Sequence, residues 1–107
     1  MPMKKTYIIA EVGPNHQGSV KIALKFIKTL SKIGVNAVKF QKRTIDLVYK
    51  QEMLEGLRES PWGTTQREQK EGLEFGRVEF DEIDRYSKEK DIEWFASAWD
   101  LPSQEFL

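Results

Sequence analysis

The chain has 107 residues, and its 17 Lys and Arg are matched by 17 Asp and Glu, so the formal net charge is zero. That balance argues against a nucleic-acid partner, which draws on a basic excess. There is no cysteine, which excludes disulfides and thiolate metal sites, and the length suits one small domain rather than a closed barrel enzyme.

The start, Met1-Pro2-Met3-Lys4-Lys5, is basic, but too few apolar residues follow before Glu11 to make a secretory signal. No apolar run approaches membrane-spanning length, so the expectation is a cytoplasmic protein with no membrane partner. Tyr7-Ile8-Ile9-Ala10 is continuously apolar and β-branched, which predicts a strand buried on both faces, as in a parallel sheet. Gly13, Pro14, Asn15 and Gly18 make a turn-rich loop, and Ser19 is placed to cap a helix. The spacing predicts that helix over 20–32, with Val20, Ala23, Leu24, Ile27, Leu30 and Ile33 on one face and Gly34 as its stop. Val35 to Gln41 reads as the next strand, completing a right-handed β-α-β unit.

Residues 42–78 form a long excursion, with a turn at Ser60-Pro61-Trp62-Gly63 and a short helix starting at Thr64 or Thr65. A connection of that length is uncommon unless it carries function or structure of its own. A second helix is predicted over 80–90, with Phe80, Ile83 and Tyr86 inward, then a third strand over 92–98. Asp100-Leu101-Pro102-Ser103 opens a further helix. Strand and helix alternate, and polar residues stand at each strand's end. The fold class expected is α/β, the N-terminal portion of a (β/α)8 TIM barrel. A full barrel needs about 250 residues, so residues 1–107 are read as about its first three strands, a partial barrel domain.

The candidate site residues stand at those strand ends. Glu11 closes an apolar run, where a carboxylate is costly unless it is paired or wetted by a cavity. Its two readings are an ion pair with Lys39 and an active-site role. Lys39 alternates with Val38 and Phe40, which sends it to the barrel interior together with Gln41. An inward lysine is a salt-bridge partner, a ligand for an anion, or a Schiff-base nucleophile. Ser97 ends the third strand, where a hydroxyl can donate to a phosphate. Asn15 and His16 lie on the first loop, where the plain readings are a local turn bond and a solvated imidazole. A lone histidine cannot build a metal site, though one histidine with one carboxylate can contribute to a site completed elsewhere. Trp62, Trp94 and Trp99 read as core or loop packing, and Lys42 and Arg43 as surface cations.

Four segments carry a family resemblance: residues 9–19 (Ile-Ala-Glu-Val-Gly-Pro-Asn-His-Gln-Gly-Ser), Val38-Lys39-Phe40-Gln41, Gly72-Leu73-Glu74-Phe75, and Trp94 through Asp100. In this order they resemble the N-terminal part of the sialic acid (N-acetylneuraminate) synthase family. The resemblance implies a TIM-barrel enzyme that condenses phosphoenolpyruvate with an N-acetylated amino sugar, of the N-acetylmannosamine type, releasing phosphate. Relatives make legionaminic or pseudaminic acid or serve surface-polysaccharide synthesis. By the same resemblance Lys39 contacts phosphoenolpyruvate, Gln41 supports that pocket and Ser97 binds the phosphate. Glu11 sits near the reacting carbon, and Asn15 and His16 line the first loop. A divalent metal, Mn²⁺ or Mg²⁺, is held by histidines of later strands with no counterpart before Leu107. A small antifreeze-like C-terminal domain reaches into the partner's site in a homodimer. Many members have Ser-Thr-Pro-Phe-Asp where this chain has Ala96-Ser97-Ala98-Trp99-Asp100, which reshapes the wall facing the acceptor sugar.

The resemblance thus makes the 107 residues a fragment, expected to be inactive and poorly stable alone because open barrel strands leave an unpaired edge. Two other readings stand beside it: a Schiff-base aldolase using Lys39, and a truncated, non-catalytic sugar-binding protein.

Overall fold

The computed structural model describes residues 6–107, and the basic start at 1–5 lies outside the described residues. The elements run β1 (Ile9–Glu11), α1 (Val20–Lys32), β2 (Ala37–Lys42), α2 (Ile45–Val48), α3 (Gln51–Leu54), β3 (Leu57–Ser60), β4 (Gly63–Thr65), α4 (Gln66–Gly72), α5 (Arg77–Glu89), β5 (Glu93–Ala98) and α6 (Leu101–Phe106). Strands β1, β2 and β5 form one parallel sheet in that order, while β3 and β4 pair as a separate antiparallel hairpin. Parallel strands joined by helices in chain order are the architecture expected for the opening strands of a (β/α)8 barrel.

Helix α1 starts where Ser19 Oγ accepts the Ile22 N–H at 3.4 Å, supplying one acceptor that a helix start lacks. Its Ala23 and Ile27 are buried against Val38 and Phe40 of β2. Helix α5 adds Phe80 and Ile83 to the same cluster, and Trp94 and Ala96 of β5 pack on it. Fully burying a side chain such as Ile27 or Ile83 stabilises by about 1.5–3 kcal/mol, so this two-layer core fixes the sheet under the helices. The alternation of β2 follows directly: Val38 and Phe40 face the helices, and Lys39 and Gln41 face the other side.

Several expectations need correction. The strand at Tyr7-Ile8-Ile9-Ala10 is not buried on both faces. It shortens to β1, and Tyr7, Ile8 and Ile9 are each about half exposed, because β1 pairs only with β2 among the described residues. Ile33 is the C-cap of α1 and exposed rather than on its buried face. Helix α5 begins three residues earlier than predicted, at Arg77, because the Glu79 carboxylate accepts the Gly76 N–H at 2.7 Å. The long excursion holds the β3–β4 hairpin, which the sequence did not announce. Its turn at Pro61-Trp62 was legible, but strand β3, Leu57-Arg58-Glu59-Ser60, is almost wholly exposed and carries no alternation. Thr65 caps α4 as expected, its hydroxyl accepting the Glu68 N–H at 3.2 Å.

Candidate active site

The side of the sheet away from the helices carries the polar residues. Glu11 is in register with Lys39, and Lys39 with Phe95; Gln41 is in register with Ser97. Residues in register on neighbouring parallel strands project to the same face, so Glu11, Lys39, Gln41 and Ser97 share one surface near the C-terminal ends of their strands. Lys39 Nζ lies 3.2 Å from Glu11 Oε2, with the lysine about one-third and the glutamate about half exposed. The ion-pair reading and the shared-mouth reading of these two residues are therefore compatible. The four line an open sheet face rather than an enclosed cavity.

The loop after β1 is tied to β2. The N–H groups of Val12 and Gly13 both donate to the Lys39 carbonyl, at 2.9 and 3.2 Å. Gly13 has φ +53, and a Cβ there would stand 3.5 Å from Glu11 Oε1 and 3.9 Å from Gln41 Oε1. Those are ordinary contact distances, so it is the left-handed φ that favours glycine here.

Asn15 and His16 do not join this face. Asn15 Nδ2 donates to the Val12 carbonyl at 2.8 Å, the local turn bond, and the residue is exposed. His16 is a correction to the solvated-loop reading and to its placement as a site-lining group. It is 3% exposed, its ring stacks on Phe75 at 3.9 Å and lies 6.3 Å from Phe40, and Phe40 faces the helices. Its Nδ1 accepts the Gly18 N–H at 3.0 Å. Burial holds the imidazole down to about 4, well below its usual 6.5.

Lys42 and Arg43 are also corrected: neither is a free surface cation. Arg43 is 6% exposed; its Nε donates to Glu74 Oε1 at 2.7 Å and its Nη1 to the Tyr49 hydroxyl at 2.6 Å. Lys42 Nζ reaches Glu74 Oε2 at 3.5 Å, and that oxygen also accepts the Arg43 N–H. Glu74 belongs to the Gly-Leu-Glu-Phe motif, the one signal that could have exposed its role. The Arg43 guanidinium carbon lies 5.5 Å from the Trp99 ring, which joins the excursion to the loop after β5. A second clamp lies beside it. Asp100 accepts the Thr44 N–H and hydroxyl at 2.6 and 2.9 Å and caps α6 through the Ser103 N–H at 2.8 Å. Partial burial raises the Asp100 carboxyl, but the bonds from Thr44 and Ser103 outweigh it and hold the group at about 2. Among the described residues, no three His, Asp or Glu side chains gather as a metal would require.

Trp62, at the tip of the β3–β4 hairpin, packs where two glycines leave room. A Cβ on Gly72 would fall 2.1 Å from the indole, and one on Gly18 would fall 2.9 Å from it and 2.3 Å from the Gly72 carbonyl oxygen. The hairpin is thereby seated on the first loop.

Residues 26–107 match the model of the NeuB family. The chain is 41% identical over 103 residues to the N-acetylneuraminate-9-phosphate synthase of Drosophila melanogaster, covering 94% of this chain and 28% of that protein. It is 37% identical over 103 residues to the Homo sapiens protein of the same name, covering 94% and 29%. The chain thus spans under a third of the length of these curated relatives. Among solved structures it superposes on an N-acetylneuraminic acid synthetase of Leptospira borgpetersenii with a TM-score of 0.78 and 27% identity, covering 97% of this chain and 33% of that one.

Proposed function

The chain belongs to the NeuB family, whose sialic-acid-type synthases are its homologues, and on that premise we propose that Glu11, Lys39, Gln41 and Ser97 form part of a site condensing phosphoenolpyruvate with an N-acetylated amino sugar. One observation carries the reading. The Glu11–Lys39 pair, 3.2 Å apart, lies on the same sheet face as the registered Gln41 and Ser97. They stand near the C-terminal ends of their strands, the end of a barrel sheet where barrel enzymes do their chemistry.

The chemistry asks for these residue types. The donor is multiply anionic, and Lys39 supplies a fixed positive charge to hold it, with the Ser97 hydroxyl and Gln41 amide available as donors. The enol C3 of phosphoenolpyruvate attacks the aldehyde carbon of the open-chain sugar, forming the new C–C bond and placing positive charge on C2. Water adds to C2, and cleavage of the C2–O bond then releases inorganic phosphate. Glu11 stands beside the ammonium that holds the donor, where a carboxylate stabilises the cationic carbon or accepts a proton from the adding water.

The resemblance places the ligands of the divalent ion in later strands, and the residues described here do not supply them. His16 spends Nδ1 on Gly18 within the core, and Glu11 is paired with Lys39. No step is therefore routed through a metal. The test is phosphate release by the full-length protein with phosphoenolpyruvate and a panel of N-acetylated hexosamines. Lys39→Ala is expected to raise the phosphoenolpyruvate KM at least tenfold or abolish turnover, and unchanged kinetics would remove Lys39 from the site. Borohydride trapping of a substrate adduct on Lys39 would favour the Schiff-base reading instead.

A further inference from the structure

The last registered pair of β2 and β5 is Lys42 with Ala98, and one more backbone bond, from the Trp99 N–H to the Lys42 carbonyl at 3.1 Å, carries the pairing a step past the strand ends. Beyond that step a side chain joins the two segments. The Asp100 carboxylate accepts the Thr44 N–H on Oδ2 at 2.6 Å, and the Thr44 hydroxyl and Ser103 N–H on Oδ1 at 2.9 and 2.8 Å. Capping α6 uses only the bond from Ser103. The two bonds from Thr44 add nothing to that cap, and they bridge residues 56 positions apart. Thr44 is committed in the same way. It is the N-cap residue of α2, yet its hydroxyl makes no cap bond there; it donates to Asp100 and lies 3.4 Å from the Oγ of the buried Ser103. Burial opposes ionisation of Asp100, but the bonds from Thr44 and Ser103 outweigh it and hold the carboxyl at about 2. The bridge is therefore charge-assisted at neutral pH, which makes each of its bonds stronger than one between neutral groups.

This bridge adjoins the part of the site proposed to hold phosphoenolpyruvate. Asp100 lies three residues past Ser97, and Thr44 three past Gln41, and Ser97 and Gln41 are in register on the polar face. We infer that Asp100 is a positioning residue: its bridge to Thr44 fixes the end of β5 against the end of β2, and so sets the reach of Ser97 to a donor held by Lys39 and Gln41. The inference rests on the synthase reading for the identity of that donor. The sign of the effect separates this role from a plain electrostatic one. Phosphoenolpyruvate is multiply anionic, so removing a nearby carboxylate tightens its binding on charge alone. Losing a positioning group weakens it, and a misplacement of about 1 Å can cost about a hundredfold.

The test uses the full-length protein with Asp100→Ser and Thr44→Val. Serine still caps α6 but is too short to hold both Thr44 donors, and valine removes only the hydroxyl bond. In phosphate-release kinetics, Asp100→Ser is expected to raise the phosphoenolpyruvate KM at least about tenfold and the acceptor KM less than about threefold. Thr44→Val is expected to give a smaller rise in the phosphoenolpyruvate KM alone. Equal changes in the two KM values, or a lower kcat alone, mark a merely structural role and overturn the inference. A lower phosphoenolpyruvate KM marks an electrostatic role and also overturns it. If Asp100→Ser does not fold, Thr44→Val decides by the same criteria, and no rise in its phosphoenolpyruvate KM overturns the inference. Calorimetric titration with phosphoenolpyruvate needs no turnover. Binding at least about tenfold weaker in folded Asp100→Ser supports the positioning role. Binding that is unchanged there but lost in Lys39→Ala overturns it and leaves the synthase reading standing. A wild type that neither binds phosphoenolpyruvate nor releases phosphate overturns both.

Discussion

The buried imidazole of His16 makes stability depend on pH in a defined window. In the folded chain the ring is held neutral down to about 4, against 6.5 for an unburied histidine. Between those values the unfolded state binds a proton that the folded state refuses, so stability is fully present above 6.5 and falls as the pH drops towards 4. At about 1.4 kcal/mol per unit, the whole interval is worth about 3 kcal/mol, a large share of a small domain's stability. The structural cause is specific. Protonating Nδ1 would turn the acceptor of the Gly18 N–H into a second donor facing it, in a ring stacked on Phe75. The chain has one histidine, so its imidazole signals in a two-dimensional NMR titration are unambiguous. The stacked Phe75 ring shifts those signals upfield and reports that the fold is intact. Titration near 6.5 with that upfield shift still present would refute the reasoning.

Two further substitutions probe the excursion. Glu74→Gln leaves the buried Arg43 and the neighbouring Lys42 without their carboxylate, and should destabilise by about 3–5 kcal/mol in denaturant unfolding; a loss under 1 kcal/mol would mean the cations are solvated. Gly18→Ala forces a side chain into φ +73 and within 2.3 Å of the Gly72 carbonyl oxygen, where backbone cannot give way. It should cost at least about 2 kcal/mol and expose Trp62, seen as a red shift in its fluorescence; an unshifted spectrum at full stability would show that the hairpin is not seated on the loop.

The candidate site was partly legible in the chain. The alternation with Val38 and Phe40 places Lys39 and Gln41 on the inner face, and the pairing of Glu11 with Lys39 follows from two strands that start a β-α-β unit. Arg43 misled because a cation after a strand end is usually solvated, and its buried partner Glu74 stands 31 residues further on. His16 misled for the same reason. The Phe75 that covers it lies across the excursion, and nothing local to Asn15-His16-Gln17 indicates burial.

The order of β1, α1, β2, α5 and β5, the buried stripe of α1 and the caps at Ser19, Thr65 and Asp100 were determined by the sequence itself, because periodicity and capping act over a few neighbouring residues. Which polar groups face one another was decided only by the tertiary structure. Register between β2 and β5, the seating of Trp62 in the gap left by Gly18 and Gly72, and the gathering of Arg43, Tyr49 and Lys70 all depend on how the excursion folds back over the sheet. Packing between distant segments fixes such contacts, and no local pattern encodes it.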